Sequence, residues 1–124
     1  MSDEFRHPHR PWRQKFRDAF RGLGWSLRTQ ASFHVHLVAT VVVVAAGVVC
    51  RLTCTEWCLL VLCVALVFSL EMVNTALERL AKVVDRRYNP DLGAALDIGS
   101  AAVVVAALGA VIVGALIFLP RLWL

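Results

Sequence analysis

Residues 98–119 run for 22 positions without a charge. About 20 consecutive apolar residues, rising about 1.5 Å each, cross the roughly 30 Å hydrocarbon core of a bilayer. Two more segments have this character. One spans about 31–50, with Val41-Val42-Val43-Val44-Ala45-Ala46 at its centre, and the other about 57–80. Backbone polar groups must pair internally in lipid, so each segment reads as a helix. The composition agrees: of 124 residues, 59% are apolar and 18% charged, with mean hydropathy +0.68. Soluble domains are closer to about half apolar and about a quarter charged. A chain this short lacks the interior to hide so much apolar surface from water. An ordinary soluble enzyme, a disordered tail and a secreted disulfide scaffold are therefore excluded. The expected fold is an all-α membrane protein, with three transmembrane helices preceded by an N-terminal amphipathic surface helix.

The charges are unevenly placed. Residues 1–30 hold seven of the 13 Lys and Arg and three acids (Asp3, Glu4, Asp18), for a net +4, and the rest of the chain sums to zero. A basic head beside membrane spans suits anionic lipid headgroups or a phosphorylated small molecule, and no nucleic-acid partner is expected. Within the head, Trp12, Phe16, Ala19, Phe20, Leu23 and Leu27 fall on one stripe at helical spacing, with Arg13, Arg17, Arg21 and Arg28 beside or opposite it. Residues 12–28 therefore read as a helix lying on the membrane surface. Packing of the same stripe against other helices is the plainer alternative. The expected organisation is a flexible basic tail at 1–11 and one membrane domain at 12–124. That domain holds the surface helix 12–28 and spans at about 31–50, 57–80 and 95–119.

Short connections, residues 50–56 and 82–93, join the spans, and Asn89-Pro90-Asp91 reads as a turn. The head and the 79–93 region share one side and hold 11 of the basic residues, leaving Arg51 and Arg121 on the other. The excess places the N-terminus of this multi-pass chain in the cytoplasm. In the third span Ala102, Ala106, Ala110 and Gly114 recur every fourth residue, a spacing that lets helices approach closely.

Glu71, Asn74, Thr75 and Glu78 are the unusual residues. They stand at i, i+3, i+4 and i+7 of the second span and so share one helix face. An acid inside a span costs about 2.5–3.5 kcal/mol on insertion scales. Taking Trp57 as the outer interface, Glu71 lies roughly 21 Å deeper and Glu78 roughly 31 Å deeper. Such groups can simply glue helices together. A site at the inner edge, however, can meet a lipid headgroup and a cytosolic solute at once, whereas a transporter site belongs near the midplane. A carboxylate in an apolar setting can take a proton from a substrate hydroxyl. A second one nearer water can hold Mg²⁺, which favours oxygen ligands and keeps several waters. Base and metal at a basic face are what phosphoryl transfer from ATP to a lipid alcohol requires.

At these residues a family resemblance emerges. The run Glu71-Met72-Val73-Asn74-Thr75-Ala76-Leu77-Glu78 is followed, 19 residues after Glu78, by Asp97-Ile98-Gly99-Ser100-Ala101-Ala102-Val103. Together these resemble the small bacterial integral-membrane lipid kinases, diacylglycerol kinase and undecaprenol kinase. Phe16-x-x-Ala19-Phe20-Arg21-Gly22-Leu23 and Gln30-Ala31-Ser32-Phe33-His34-Val35-His36 extend the likeness to about residues 13–119. The resemblance implies a homotrimer in the inner membrane of a bacterium, with active sites between protomers near the cytoplasmic face, using ATP and Mg²⁺. It implies Glu71 as the base and Asn74 as an orienting residue. Glu78 and Gln30 would be metal ligands, and Glu78, Asp97, Arg21, Arg86 and Arg87 nucleotide-binding residues. Glu71, Phe33, His36 and Ser100 would meet the lipid.

Two positions depart from the family pattern. Gln30 stands where Glu is common, and offers a carbonyl oxygen without charge. Leu96 stands where Lys usually precedes the matching Asp, leaving Arg86 or Arg87 to supply the missing cation. Cys50, Cys54, Cys58 and Cys63 read as small apolar fillers. His34 and His36 point to opposite faces, His7 and His9 fall in the tail, and Arg51 and Glu56 read as solvated loop charges. The expected activity is phosphorylation of diacylglycerol to phosphatidic acid, with undecaprenol as the alternative acceptor. A proton-coupled transporter and a non-catalytic membrane assembly partner are the rivals from other classes.

Overall fold

A computed structural model describes residues 8–123, all-helical with four helices. The described residues fall into two compact units, 8–30 and 31–123. Residues 1–7 of the expected tail, His7 among them, lie outside the described residues.

The first unit is helix α1 (Trp12–Thr29) and its flanks. Pro11 opens it, and its carbonyl accepts from the backbone N–H groups of Gln14 at 3.0 Å and Lys15 at 3.1 Å. Arg28 in the last turn complements the helix dipole, and Gln30 closes the helix by donating its N–H to Ser26 O at 3.1 Å. Trp12, Phe16 and Phe20 are all exposed, forming the apolar stripe that the spacing predicts. Lys15 Nζ lies 4.9 Å from the Trp12 ring centre, a cation–π contact. Arg10 ion-pairs with Asp18, so the last residues of the expected flexible tail are tied to the helix.

The second unit holds α2 (Ala31–Cys50), α3 (Cys54–Val84) and α4 (Pro90–Leu122), each long and apolar enough to cross a membrane. At 31 and 33 residues, α3 and α4 reach about 46 and 50 Å, well beyond a hydrocarbon core. Their surplus comes from caps that take up residues read from sequence as connections. Thr53 accepts from the Glu56 N–H at 3.2 Å while Glu56 Oε1 accepts from the Thr53 N–H at 3.0 Å, a capping box that starts α3 three residues before Trp57. Asn89 Oδ1 accepts from the Asp91 N–H at 2.9 Å, and Pro90 takes the first helical position, where its missing N–H costs nothing. Asn89-Pro90-Asp91 is thus a helix start, and the link between α3 and α4 shrinks to residues 85–89. In the link between α2 and α3, Arg51 adopts a φ of 54°. Its N–H bonds to Val48 O at 3.3 Å and that of Leu52 to Gly47 O at 3.2 Å, the paired bonds of a Schellman ending.

Helices α3 and α4 run antiparallel and pack extensively, while α2 lies more lightly against α3. Where α3 begins and α4 ends, Leu52, Leu60 and Ile117 form a core with Trp57 and Phe118 against it. Beside it Arg121 pairs with Glu56 through both guanidinium nitrogens, Nη1 donating to Oε2 at 2.5 Å, and Nη1 also donates to Ile117 O at 2.8 Å. Glu56 is therefore not the solvated loop charge the sequence suggests: the antiparallel pairing brings the start of α3 to the end of α4. The small-residue stripe is used unevenly. Ala106 is buried, but a Cβ on Gly114 would meet nothing within 4 Å.

Candidate active site

The polar face of α3 turns inward. Glu71, Asn74 and Thr75 are 7%, 7% and 6% exposed, whereas Glu78, a turn further on, is exposed. Burying two polar groups and an acid is unfavourable unless each finds partners. Glu71 finds them on α2: Ser32 Oγ donates to its Oε1 at 2.6 Å, and His36 Nε2 lies 3.6 Å from its Oε2. Ser32 and His36 are four residues apart and so share the α2 face that meets α3. The Thr75 hydroxyl donates to Glu71 O at 2.9 Å. Aromatic rings wall this cluster on one side. Phe68 meets His36 edge-on at 6.2 Å and the fully buried Phe33 at 5.6 Å.

Asn74 connects the buried acid's surroundings to the exposed one. Its Nδ2 donates to Glu78 Oε1 at 3.3 Å, while its Oδ1 is buried with no hydrogen-bond partner among the described residues. That oxygen faces α4 at Gly99, where a Cβ would stand 2.5 Å from it. Glycine at this position is what allows α4 to cross α3 over Asn74.

Two concavities flank the polar face. An open one of about 850 Å³ is lined by Glu78, Lys82, Arg86, Arg87, Tyr88, Leu96 and Asp97, among others, at the end where α3 stops and α4 begins. An apolar one of about 380 Å³ starts at His36 and Phe68 and runs along α3 and α4 to Phe118. The structure thus brings Glu71, Asn74, Glu78 and His36 into one chain of contacts, and gathers Glu78, Asp97, Arg86 and Arg87 round one cavity. Phe33 joins through Phe68. Ser100 is exposed and lines neither concavity. Arg21 and Gln30 belong to the N-terminal unit. Arg21 lies there beside Asp18 at 3.8 Å, in a shallow hollow with Arg13 and Arg17, and Gln30 caps α1.

Among the described residues no three His, Cys, Asp or Glu side chains gather as a metal cage. Glu78 and Asp97 nevertheless open on the same cavity, and two carboxylates with water and phosphate oxygens form the donor set Mg²⁺ prefers. The sequence reading missed Ser32, Gly99, Lys82 and Tyr88. Ser32 was within reach, since it stands one helical turn before His36 in a stretch already singled out.

Comparison with known proteins matches this arrangement to a family. The family described as prokaryotic diacylglycerol kinase matches residues 17–118. The undecaprenol kinase of Bacillus subtilis (strain 168) is 36% identical over 109 residues, covering 88% of this chain and 89% of its own. A diacylglycerol kinase of Synechocystis sp. is 36% identical over 108 residues, covering 86% of this chain and 62% of its own. The polar face of α3 and the glycine opposite it lie within all that is matched by the family: the chain belongs to the prokaryotic diacylglycerol kinase family and is a lipid kinase.

Proposed function

We propose that this kinase transfers the γ-phosphoryl group of ATP to the hydroxyl of diacylglycerol, giving phosphatidic acid. The observation that carries the reading is the division of labour along one face of α3. Glu71 is buried beside an apolar groove, and Glu78, two turns on, opens into a cavity with three basic side chains. A lipid chain fits the first environment and a polyphosphate the second, so the two substrates meet between them.

Glu71 receives the proton of the lipid hydroxyl as that oxygen bonds to the γ-phosphorus. The bond from the γ-phosphorus to the β–γ bridging oxygen breaks, and ADP leaves with the electron pair. Asn74 holds Glu78 through its amide, which keeps the metal-side carboxylate oriented. Glu78 and Asp97 would hold Mg²⁺, which when bound neutralises phosphate charge. Lys82, Arg86 and Arg87 supply cations around the phosphates. Phe33, His36 and Ser100 are assigned to the lipid side. The protein acts as a homotrimer in a bacterial inner membrane with its N-terminus in the cytoplasm. Exposed valines and leucines along α2 and α4 leave apolar faces for neighbouring copies or lipid.

The relatives support undecaprenol as the acceptor equally well: the Bacillus undecaprenol kinase and the Synechocystis diacylglycerol kinase are each 36% identical to this chain. Purified protein in mixed micelles with labelled ATP, Mg²⁺ and each lipid in turn tests both. Label on phosphatidic acid, abolished by Glu71→Gln, supports the first reading, and label confined to undecaprenol replaces it with the second. No transfer to either lipid overturns both.

A further inference from the structure

Glu71 is held by more than burial. Of its two carboxylate oxygens, Oε1 accepts the short bond from Ser32 Oγ at 2.6 Å, and Oε2 faces His36 Nε2 at 3.6 Å, beyond good hydrogen-bond length. The other nearby hydroxyl, that of Thr75, is committed to the Glu71 backbone oxygen and so does not compete for the carboxylate. Ser32 stands in the first turn of α2 and reaches a residue 39 positions away, in the middle of α3. A glutamate side chain has three rotatable bonds, and a charge-assisted bond to one oxygen fixes the direction of the other.

We infer that Ser32 is a positioning residue for the phosphoryl-transfer step: by bonding Oε1 it turns Oε2 of Glu71 toward the mouth of the apolar groove, where the acceptor hydroxyl arrives. The inference rests on the assignment of Glu71 as the base. Without Ser32 the carboxylate is free to rotate. The lipid and ATP still bind, since neither is held by Ser32, but the fraction of complexes in reactive geometry falls. The loss therefore appears in kcat and not in either KM. Small misplacement of a catalytic group commonly costs roughly 10- to 100-fold in rate. Threonine carries the same hydroxyl and restores the bond, while alanine, a better helix former than serine, removes it without harming α2.

The experiment compares wild type, Ser32→Ala, Ser32→Thr and Glu71→Gln in mixed micelles, with kcat and both KM values normalised to folded protein by thermal melting. Expected are a kcat for Ser32→Ala lower by roughly 10- to 100-fold, KM values within about twofold, recovery in Ser32→Thr, and no activity in Glu71→Gln. An unchanged kcat in Ser32→Ala, a loss carried by KM, or a Ser32→Thr variant as slow as Ser32→Ala each overturns the inference while an inactive Glu71→Gln leaves the base assignment standing. An active Glu71→Gln overturns the base assignment itself, and the inference with it. Should Ser32→Ala not fold, the comparison of wild type with Ser32→Thr decides: a Thr variant that folds but is slow overturns the inference, and equal rates support it.

Discussion

Asn74 and Gly99 are in such close apposition that a single added carbon on residue 99 would stand 2.5 Å from Asn74 Oδ1 and 3.3 Å from Leu77 Cδ1. The helix crossing and the polar face are therefore one feature. Asn74 can retreat only by rotating its amide, and rotation breaks its bond to Glu78. Gly99→Ala is expected to lower turnover by about tenfold or more while destabilising the fold by only about 1–3 kcal/mol, the usual range for over-packing. Kinetics and thermal unfolding on one preparation check it. A variant with normal turnover would show that the Asn74 orientation is not required.

The basic cavity predicts where nucleotide affinity resides. Leu96 lines it together with Arg86, Arg87 and Asp97, so a lysine at position 96 would face the same space as the two arginines. Arg86→Ala and Arg87→Ala are each expected to raise the KM for ATP by roughly tenfold, the equivalent of one charge-assisted hydrogen bond of about 1.4 kcal/mol. The KM for lipid should stay unchanged. Leu96→Lys should lower the KM for ATP and soften the effect of either alanine variant. If all three substitutions leave ATP saturation curves unaltered, the phosphates do not bind here.

How far the sequence could be read depended on whether a partner was local. Three spans, the amphipathic α1 and the shared face of Glu71, Asn74, Thr75 and Glu78 follow from periodicity within single segments, and all were legible. The Thr53-to-Glu56 capping box is local too, yet it sat among charges and small residues that look like a loop, so α3 began earlier than expected. Ser32 with Glu71, Gly99 with Asn74 and Glu56 with Arg121 are separated by 25 to 65 residues. No periodicity within one helix reveals them. They are set by which helices lie side by side.

The Glu56–Arg121 pair is expected to matter for stability and not for turnover. Glu56 is 15 residues from Glu71, roughly 22 Å along α3. Arg121→Ala strands a half-buried carboxylate and frees the Ile117 carbonyl, so the melting midpoint should fall. The double variant Glu56→Gln with Arg121→Ala should fall no further than the sum of the singles, and the difference measures the coupling. The kcat per folded molecule should be unchanged. A fall in kcat without a fall in midpoint would contradict a purely structural role for this pair, remote from Glu71.

A second close approach, at the C-terminal end of α2, separates packing from propensity. A Cβ on Gly47 would stand 2.7 Å from Cη2 and 3.0 Å from Cζ2 of Trp57, and 3.0 Å from Leu52 Cδ1. Helix propensity alone favours alanine over glycine by about 1 kcal/mol. Against this, the indole is rigid and wedged into the core of Leu52, Leu60 and Ile117, so it cannot yield as a flexible chain end would. The Gly47 carbonyl is also the acceptor for the Leu52 N–H that ends α2, so a shift of the backbone carries a second cost. Gly47→Ala is therefore expected to destabilise the protein by about 1–3 kcal/mol in spite of its better propensity, measured by thermal or denaturant unfolding in detergent. Trimming the obstacle should reverse the sign: in a Trp57→Phe background, Gly47→Ala should be neutral or stabilising. If Gly47→Ala stabilises the wild-type protein, the indole moves more freely than this packing allows.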